Sequence, residues 1–195
     1  PHYILVHTDA VNVNYEHAFD ENNITSSDTL NIILTPPPDL VVTNITVTDT
    51  ASNAQDIMVR WTVQNQGATP PLATSWSDRI YLSEHATLNT SNAHMVGVES
   101  TSPTSFQPGQ TYTLQRNIRI PAHINGPYYL FIHTDQQNQV FESLGDTNNI
   151  TRRSTPITII SPDLSPGNLT VPPVDSTGDE LSYTWITRNL GPGSL

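Results

Sequence analysis

Apolar and polar residues alternate with a period of two along most of the middle of this chain. Ile57, Val59, Trp61 and Val63 occupy alternate positions of one segment, and the residues between them are polar or flexible. Residues 111–120 alternate in the same way. This period is typical of a β-strand that buries one face and exposes the other, so the pattern predicts half-buried antiparallel strands.

Turn-forming residues separate the alternating segments, as at Asn65-Gln66-Gly67 and Pro108-Gly109. Further strands are predicted at about 40–48, 78–83, 94–100, 127–134 and 153–160. No segment has a helical period, and the 16 prolines disfavour long helices. The predicted fold class is therefore all-β, an immunoglobulin-like β-sandwich of about seven strands per domain.

Two sequence patterns occur twice. The first joins His7-Thr8-Asp9, Glu16 and Asn22-Asn23, and it recurs as His133-Thr134-Asp135, Glu142 and Asn148-Asn149, a separation of 133 − 7 = 126 residues. The second joins Asp39-Leu40, Trp61, Asn65 and Gly67, and it recurs as Asp163-Leu164, Trp185, Asn189 and Gly191, a separation of 163 − 39 = 124 residues. A repeat of this length is the size of a whole domain.

The repeat predicts a tandem array of domains. Residues 1–38 are interpreted as the C-terminal part of a truncated repeat, residues 39–162 as a complete repeat and residues 163–195 as the N-terminal part of the next one. Prolines gather at both joints, and a proline-rich connector holds neighbouring domains apart more stiffly than a Gly/Ser tether. The expected assembly is an extended, semi-rigid rod.

Composition excludes several functions. The formal charge is −11, from 18 acidic and 7 basic residues, and all basic residues are arginine. Nucleic acid is not an expected partner, because phosphate binding needs a basic surface. The sequence contains no cysteine, no nucleophile-elbow or phosphate-loop motif and no apolar run long enough to span a membrane. We therefore expect neither an enzyme nor a membrane span within these residues.

Five motifs follow one another in the middle block. They are Pro38-Asp39-Leu40, the segment from Trp61 to Gly67, the segment from Trp76 to Ser83, Pro108-Gly109-Gln110 and the segment from Gly126 to Asp135 with Glu142 and Asn148-Asn149. Their order resembles the CARDB domain, the cell-adhesion-related domain of bacterial surface proteins. The resemblance implies an immunoglobulin-like sandwich, repeated in tandem in large secreted or surface proteins of prokaryotes.

One loop offers candidate metal ligands. The oxygen-bearing residues are Asp135, Asn138, Glu142, Asp146, Asn148 and Asn149, and their equivalents in the first block are Asp9, Asn12, Glu16, Asp20, Asn22 and Asn23. Carboxylate, amide and carbonyl oxygens are the ligands of Ca²⁺, which makes calcium the candidate cofactor at a domain junction. The alternative is a loop organised by turn chemistry alone, because Asp and Asn hydrogen-bond their own backbone.

Aromatic and histidine residues receive weaker assignments. Trp61 and Trp185 share a position in successive blocks and are expected to be core residues on an inward face. His7 and His133 are expected to be packed or partly exposed strand residues. Trp76 and Tyr81 could form an exposed aromatic pair that contacts carbohydrate or a neighbouring domain, with ordinary packing as the alternative.

The sequence thus favours a structural or adhesive repeat of an extracellular prokaryotic surface protein or fibre, with calcium as a candidate brace. The alternatives are a carbohydrate- or protein-binding module and an accessory domain of a secreted hydrolase. The expected partners are neighbouring copies of the same domain, either in cis along the chain or in trans in a filament, and surface glycans or proteins are further candidates. A filament would need the partial end blocks of separate chains to complete each other.

Overall fold

The computed structural model describes residues 1–33, 35–143, 145–173, 177–178, 180 and 182–193, apart from the side chain of Asp20. The chain forms two compact units, Pro1–Thr35 and Pro36–Leu195. The predicted domain boundaries at residues 38 and 162 remain predictions. In the described residues, no helix has the length and apolar character that crossing a membrane requires.

The first unit is a small hairpin. Strands β1 (Leu5–His7) and β2 (Ile24–Ser26) pair antiparallel, and a single 3-10 turn, Asp20–Asn22, precedes β2. An isolated bridge between His2 and Leu30 continues the pairing. The large apolar side chains of this first unit are exposed, among them Leu5, Val11, Val13, Tyr15, Phe19 and Ile33.

The second unit contains the remaining strands. They are β3 (Leu40–Thr46), β4 (Thr50–Ser52), β5 (Asp56–Asn65), β6 (Trp76–Ser83), β7 (His94–Thr101), β8 (Thr111–Arg119), β9 (Gly126–His133), β10 (Ile150–Arg152), β11 (Ile157–Ile160), β12 (Leu164–Thr170) and β13 (Thr184–Asn189). A second 3-10 turn, Gly145–Thr147, lies between β9 and β10. The all-β prediction is therefore confirmed.

Two sheets form a sandwich. The smaller sheet has the order β3-β5-β8, and all its pairings are antiparallel. The larger sheet has the order β4-β11-β9-β6-β7, with β10 also paired to β9. Strand β4 pairs with β11 in parallel, which ties the start of the domain to its last strand.

The core lies between the facing sides of these sheets. In β5 the alternate residues Ile57, Val59, Trp61 and Val63 are all buried, as the period-two pattern predicts. Across the sandwich, fully buried residues of β6 and β9 complete the core, namely Ile80, Leu82, Leu130 and Ile132. Burying each such side chain contributes roughly 1.5–3 kcal/mol to folding.

The last predicted strand of the domain begins later than expected. The sequence predicts a strand at about 153–160, whereas β11 begins at Ile157 and a separate short strand, β10, lies before the predicted range. Pro156 has no N–H to donate to a ladder, and Arg153 donates its backbone N–H to the Leu130 carbonyl at 2.8 Å before the chain turns. Both strands still pair with β9.

The terminal strands β12 and β13 pair with each other in a separate two-stranded sheet. The expectation that Trp185 is a core residue is wrong for this chain, because its side chain is 57% exposed. Trp61, at the equivalent position, is fully buried. The difference follows from the opposing sheet, which covers Trp61 but has no counterpart over Trp185 among the described residues.

Candidate functional site

The loop between β9 and β10 has a backbone that its Asp, Asn and Ser residues favour. Asp135, Asn138 and Ser143 have φ angles of 44°, 52° and 58°, in the left-handed region that Asp and Asn adopt more readily than most residues. The Asp135 carboxylate accepts hydrogen bonds from the backbone N–H groups of Gln139 at 2.9 Å and Val140 at 2.7 Å. One side chain therefore organises the first half of the loop.

Glu142 joins this loop to the start of the domain. Its side chain is only 1% exposed. Its Oε2 accepts a hydrogen bond from the Leu40 backbone N–H at 2.6 Å, and its Oε1 accepts one from Asn149 Nδ2 at 3.1 Å. Because Leu40 is the first residue of β3, the carboxylate fixes the point at which the chain enters the domain.

Asp39 also belongs to the cluster of acidic and amide side chains around Glu142, although the sequence analysis did not include it among the candidate ligands. Asn148 Nδ2 donates to Asp39 Oδ1 at 2.9 Å, and a Cβ on Gly145 would lie 3.1 Å from the same oxygen. The sequence signal was present, because Asp39-Leu40 recurs as Asp163-Leu164. The contact itself joins residues 109 positions apart, which no local pattern reveals.

The cluster is electrostatically unfavourable for anions. Burial, with the neighbouring charges of Asp135 and Asp146, raises the pKa of Glu142 to about 7, although the hydrogen bonds from Leu40 and Asn149 oppose the shift. Burial and the charge of Asp146 also raise the pKa of Asp135. In the described part of the chain, no arginine forms a salt bridge with these carboxylates or with Asp39. A cation would relieve the repulsion.

One buried atom supports a cation here. Asn149 is 3% exposed, and its Oδ1 is buried without a hydrogen-bond partner. Because Asn149 Nδ2 donates to Glu142, the amide orientation is set, and a hard cation is a suitable partner for the remaining oxygen. Within the described ranges, however, no three Asp, Glu or His side chains form a metal-binding group. A calcium ion would therefore also need amide and carbonyl oxygens.

The structure does not bring all the predicted ligands together. Asp135, Glu142 and Asn149 are buried, and Asp146 is exposed but close enough for its charge to act on both carboxylates. Asn138 and Asn148 are exposed, and the Asn148 amide is hydrogen-bonded to Asp39. The turn-chemistry alternative thus describes Asp135 well. It does not explain the contact of Glu142 with Leu40, which lies 102 residues away in the sequence, or the unpartnered buried oxygen of Asn149.

The first copy of the loop reproduces the backbone. Asp9 accepts hydrogen bonds from the Val13 N–H at 2.9 Å and the Asn14 N–H at 2.8 Å. Asp9, Asn12 and His17 have φ angles of 47°, 50° and 57°. Asn22 is exposed and Asn23 is half-buried, and the side chain of the candidate ligand Asp20 lies outside the described residues.

Trp76 and Tyr81 do not form the exposed pair that the sequence analysis considered, and ordinary packing, the alternative, describes them. Trp76 is 2% exposed and Tyr81 is 3% exposed. Trp76 packs against Phe106 and Tyr112, with ring centroids 5.8 Å and 6.0 Å away, and its Nε1 donates to the Tyr112 hydroxyl at 2.9 Å. Strand β6 lies between β7 and β9 in its sheet, and all its residues except Arg79 are buried. These aromatics are packing residues.

A buried carboxylate in the core was also missed by the sequence reasoning. Asp78 has no exposed surface, and Oδ2 accepts a hydrogen bond from Trp61 Nε1 at 2.7 Å. The hydroxyls of Thr134 and Tyr112 donate to the same carboxylate. Burial raises the pKa of Asp78, while these hydrogen bonds and one from the Asp135 backbone favour the anion. The core network thus touches the first residue of the candidate site.

Comparison with known proteins identifies a family and several similar structures. The CARDB family model matches residues 37–153. A search of curated proteins finds no match. Among solved structures, the CARDB domain of a Pyrococcus furiosus protein, crystallised in complex with di-metal ions, is 20% identical over 65% of this chain and 97% of that chain, with a TM-score of 0.46.

Two further structures are similar at lower identity. The solution NMR structure of the same Pyrococcus furiosus domain is 19% identical over 64% of this chain and 97% of that chain, with a TM-score of 0.44. The β-glucosidase 3B of Thermotoga neapolitana, in complex with glucose, is 9% identical over 62% of this chain and 16% of that chain, with a TM-score of 0.40.

Proposed function

This chain belongs to the CARDB family, a cell-adhesion-related family of domains, and we propose that it serves as a semi-rigid structural repeat in an extracellular surface protein or fibre. The proposed role is to space and align what lies at either end of the array. The proposed partners are neighbouring copies of the same domain along the chain, and the proposed location is the prokaryotic cell surface.

One observation carries this proposal: the hydrogen-bonded corner where the first strand of the domain begins occurs at two places in the chain. Asn65 Oδ1 accepts hydrogen bonds from the backbone N–H groups of Asp39 at 3.1 Å and Gly67 at 3.0 Å. In the following block, Asn189 Oδ1 accepts from Asp163 at 2.9 Å and Gly191 at 3.0 Å.

The glycine of each corner is required in the same way. A Cβ on Gly67 would lie 2.5 Å from the Asp39 nitrogen, and one on Gly191 would lie 2.5 Å from the Asp163 nitrogen. A sequence that rebuilds the same corner 124 residues later supports a second domain of the same kind beginning there, which is what a tandem spacer needs.

Calcium is the proposed brace at the start of the complete domain. Glu142 and the free oxygen of Asn149 would supply the side-chain ligands, and carbonyl oxygens and water would complete the shell. The nearby charges of Asp135 and Asp146 would favour a cation at this position. The bound ion would offset the negative charge of Glu142 and Asp135, whose pKa values are raised, while Glu142 would still accept the hydrogen bond from the Leu40 N–H. The brace would stiffen the corner that follows the proline-rich joint.

The spacer role can be tested by scattering. Polypeptides carrying one, two and three copies of residues 39–162 are compared by small-angle X-ray scattering, so that the sequence Ser161-Pro162-Asp39 reproduces the second joint. A semi-rigid array predicts a maximum dimension that grows linearly with copy number, because each proline-rich joint holds its domains apart. A maximum dimension that levels off as copies are added would contradict the proposal.

The calcium brace is tested by thermal unfolding of the 195-residue chain in calcium and in chelator. An ion that binds only the folded state adds about 2.7 kcal/mol to the free energy of unfolding at one hundred times its dissociation constant. We expect a higher midpoint in calcium for the unsubstituted chain and no calcium response for Glu142→Gln. The matched control is Glu16→Gln, which should keep the response of the complete domain. Equal midpoints in calcium and chelator would exclude the brace.

A further inference from the structure

Only three residues separate the last strand of the complete domain from the first strand of the next block. Strand β11 ends at Ile160 and β12 begins at Leu164. A connector of this length would still allow rotation if its residues made no contacts. The hydrogen bonds of Ser161, Pro162 and Asp163 therefore decide whether the joint is stiff.

The side chain of Ser161 is held by the complete domain. Asn53 Nδ2 donates to Ser161 Oγ at 3.2 Å, and Ser161 Oγ donates to Asn125 Oδ1 at 3.2 Å. Asn53 is itself fixed, because its backbone N–H donates to the Ile160 carbonyl at 2.9 Å and its Nδ2 also donates to the Ala122 carbonyl at 2.9 Å. The hydroxyl thus joins the β4–β5 turn to the β8–β9 connection.

The main chain on either side of Pro162 is held by the following block. The Gly193 N–H donates to the Ser161 carbonyl at 3.1 Å. The Asp163 N–H donates to Asn189 Oδ1 at 2.9 Å, and the Asp163 carbonyl accepts from the Leu190 N–H at 2.7 Å. Ser161 is therefore bound through its side chain by one repeat and through its carbonyl by the next.

The remaining freedom of the joint is small. Pro162 has a fixed φ angle because of its ring. Gly193 approaches so closely that a Cβ on it would lie 2.5 Å from the Ser161 carbonyl carbon. Every residue between β11 and β12 is thus either ring-constrained or hydrogen-bonded. The connector has no segment that behaves as a flexible tether.

The preceding joint is longer. The repeat separation changes from 126 to 124 residues across it, because Thr35-Pro36-Pro37-Pro38 stands where the second joint has Ser161-Pro162. Two of its prolines are hydrogen-bonded by the domain that follows. The Ala68 N–H donates to the Pro37 carbonyl at 3.2 Å, and Thr69 Oγ1 donates to the Pro36 carbonyl at 2.9 Å. Two additional residues in a polyproline conformation would add about 6 Å of reach.

We propose that Asn53, Asn125 and Ser161 form an interface that locks the following repeat onto the complete domain. The partner it fits is a repeat that begins with Pro-Asp-Leu and carries an Asn-x-Gly turn, as residues 162–164 and 189–191 do. The proposal rests on the proposed tandem-spacer function and adds which side chains set the stiffness of one joint. The longer joint has Thr35 at this position and two additional prolines before the Asp-Leu start of the next repeat.

The test uses NMR on the 195-residue chain. Amide order parameters and residual dipolar couplings are measured for β12–β13 and for the body, β3–β11, in the unsubstituted chain and in Ser161→Ala. We expect a shared alignment tensor and hairpin order parameters of about 0.85 in the unsubstituted chain, the value of rigid backbone. In Ser161→Ala the hairpin should require its own tensor, with order parameters below about 0.6.

Two further variants define the outcomes. Ser161→Thr keeps the hydroxyl and should keep the shared tensor. Ser154→Ala removes the hydroxyl of an exposed serine that lies between β10 and β11, and as the matched control it should also keep the shared tensor. A shared tensor in Ser161→Ala would overturn the proposal, as would independent tumbling or random-coil shifts of residues 184–189 in the unsubstituted chain. The scattering series reports on the spacer role separately, since it can fail while this joint remains rigid.

Discussion

The two copies of the acidic loop have the same backbone and different surroundings. Asp9 and Asp135 each accept two hydrogen bonds from backbone N–H groups four and five residues later. Their φ angles are 47° and 44°. Interactions of this range depend on a short stretch of sequence, so the loop forms the same way in both units.

The glutamates of the two copies differ. Glu142 is 1% exposed and hydrogen-bonded to Leu40 and Asn149. Glu16 is half-buried, and the described residues contain no hydrogen-bond partner for its carboxylate. The difference is β3, the first strand of the same repeat, whose equivalent is not found among residues 1–33. A local pattern therefore forms the loop, whereas a distant strand is needed to bury its glutamate and to hydrogen-bond the carboxylate.

The tryptophans give the largest expected contrast between a complete and a partial copy. Trp61→Ala should lower the free energy of unfolding by about 3–5 kcal/mol, since it opens a cavity and removes a donor from the buried Asp78. Trp185→Ala should change it by less than about 0.5 kcal/mol. Urea unfolding followed by circular dichroism measures both. Equal losses would mean that the following block buries its tryptophan.

The glutamates give the next largest contrast. Glu142→Ala leaves the buried Leu40 N–H and Asn149 Nδ2 without an acceptor, which should cost about 2–3 kcal/mol of unfolding free energy. Glu16→Ala should cost less than about 0.5 kcal/mol. Urea unfolding in chelator, which removes any contribution from calcium, provides the comparison. A cost for Glu16→Ala that matches Glu142→Ala would show that residues 1–33 hold a complete site.

The same distinction explains what the sequence could predict. Alternation in β5 and the turn chemistry of Asp135 are written in neighbouring residues, and the structure has both. The burial of Tyr81 and the exposure of Trp185 depend on which sheets cover them. The contact of Asp39 with Asn148 likewise joins opposite ends of the repeat. Such facts follow from topology, which the alternation pattern leaves open.

The pH dependence of stability should come from the complete copy. The folded-state pKa of Glu142 is raised to about 7 from an ordinary value of 4.5, so the folded state binds this proton more tightly than the unfolded state. Its contribution is fully present below pH 4.5 and is lost as the pH rises through 7.

In chelator, the melting temperature should therefore fall by a few degrees between pH 5 and pH 8 for the unsubstituted chain. The fall should be smaller for Glu142→Gln and unchanged for Glu16→Gln. Differential scanning calorimetry at fixed ionic strength measures it. An identical slope in Glu142→Gln would assign the pH dependence to another group, such as Asp78, whose pKa is also raised by burial.

Substitution of the aspartates should change the free energy of unfolding least, and by similar amounts in the two copies, because their hydrogen bonds are local in both. Asp9→Asn and Asp135→Asn each keep one acceptor oxygen and tolerate the left-handed backbone, so each should lose about one hydrogen bond, or about 1 kcal/mol. Hydrogen exchange should then be a few-fold faster at Asn14 in one variant and at Val140 in the other. If only the Val140 amide changes, the conformation of the second loop depends on its contact with β3 as well as on its own sequence, and the proposed separation of local and long-range effects is wrong.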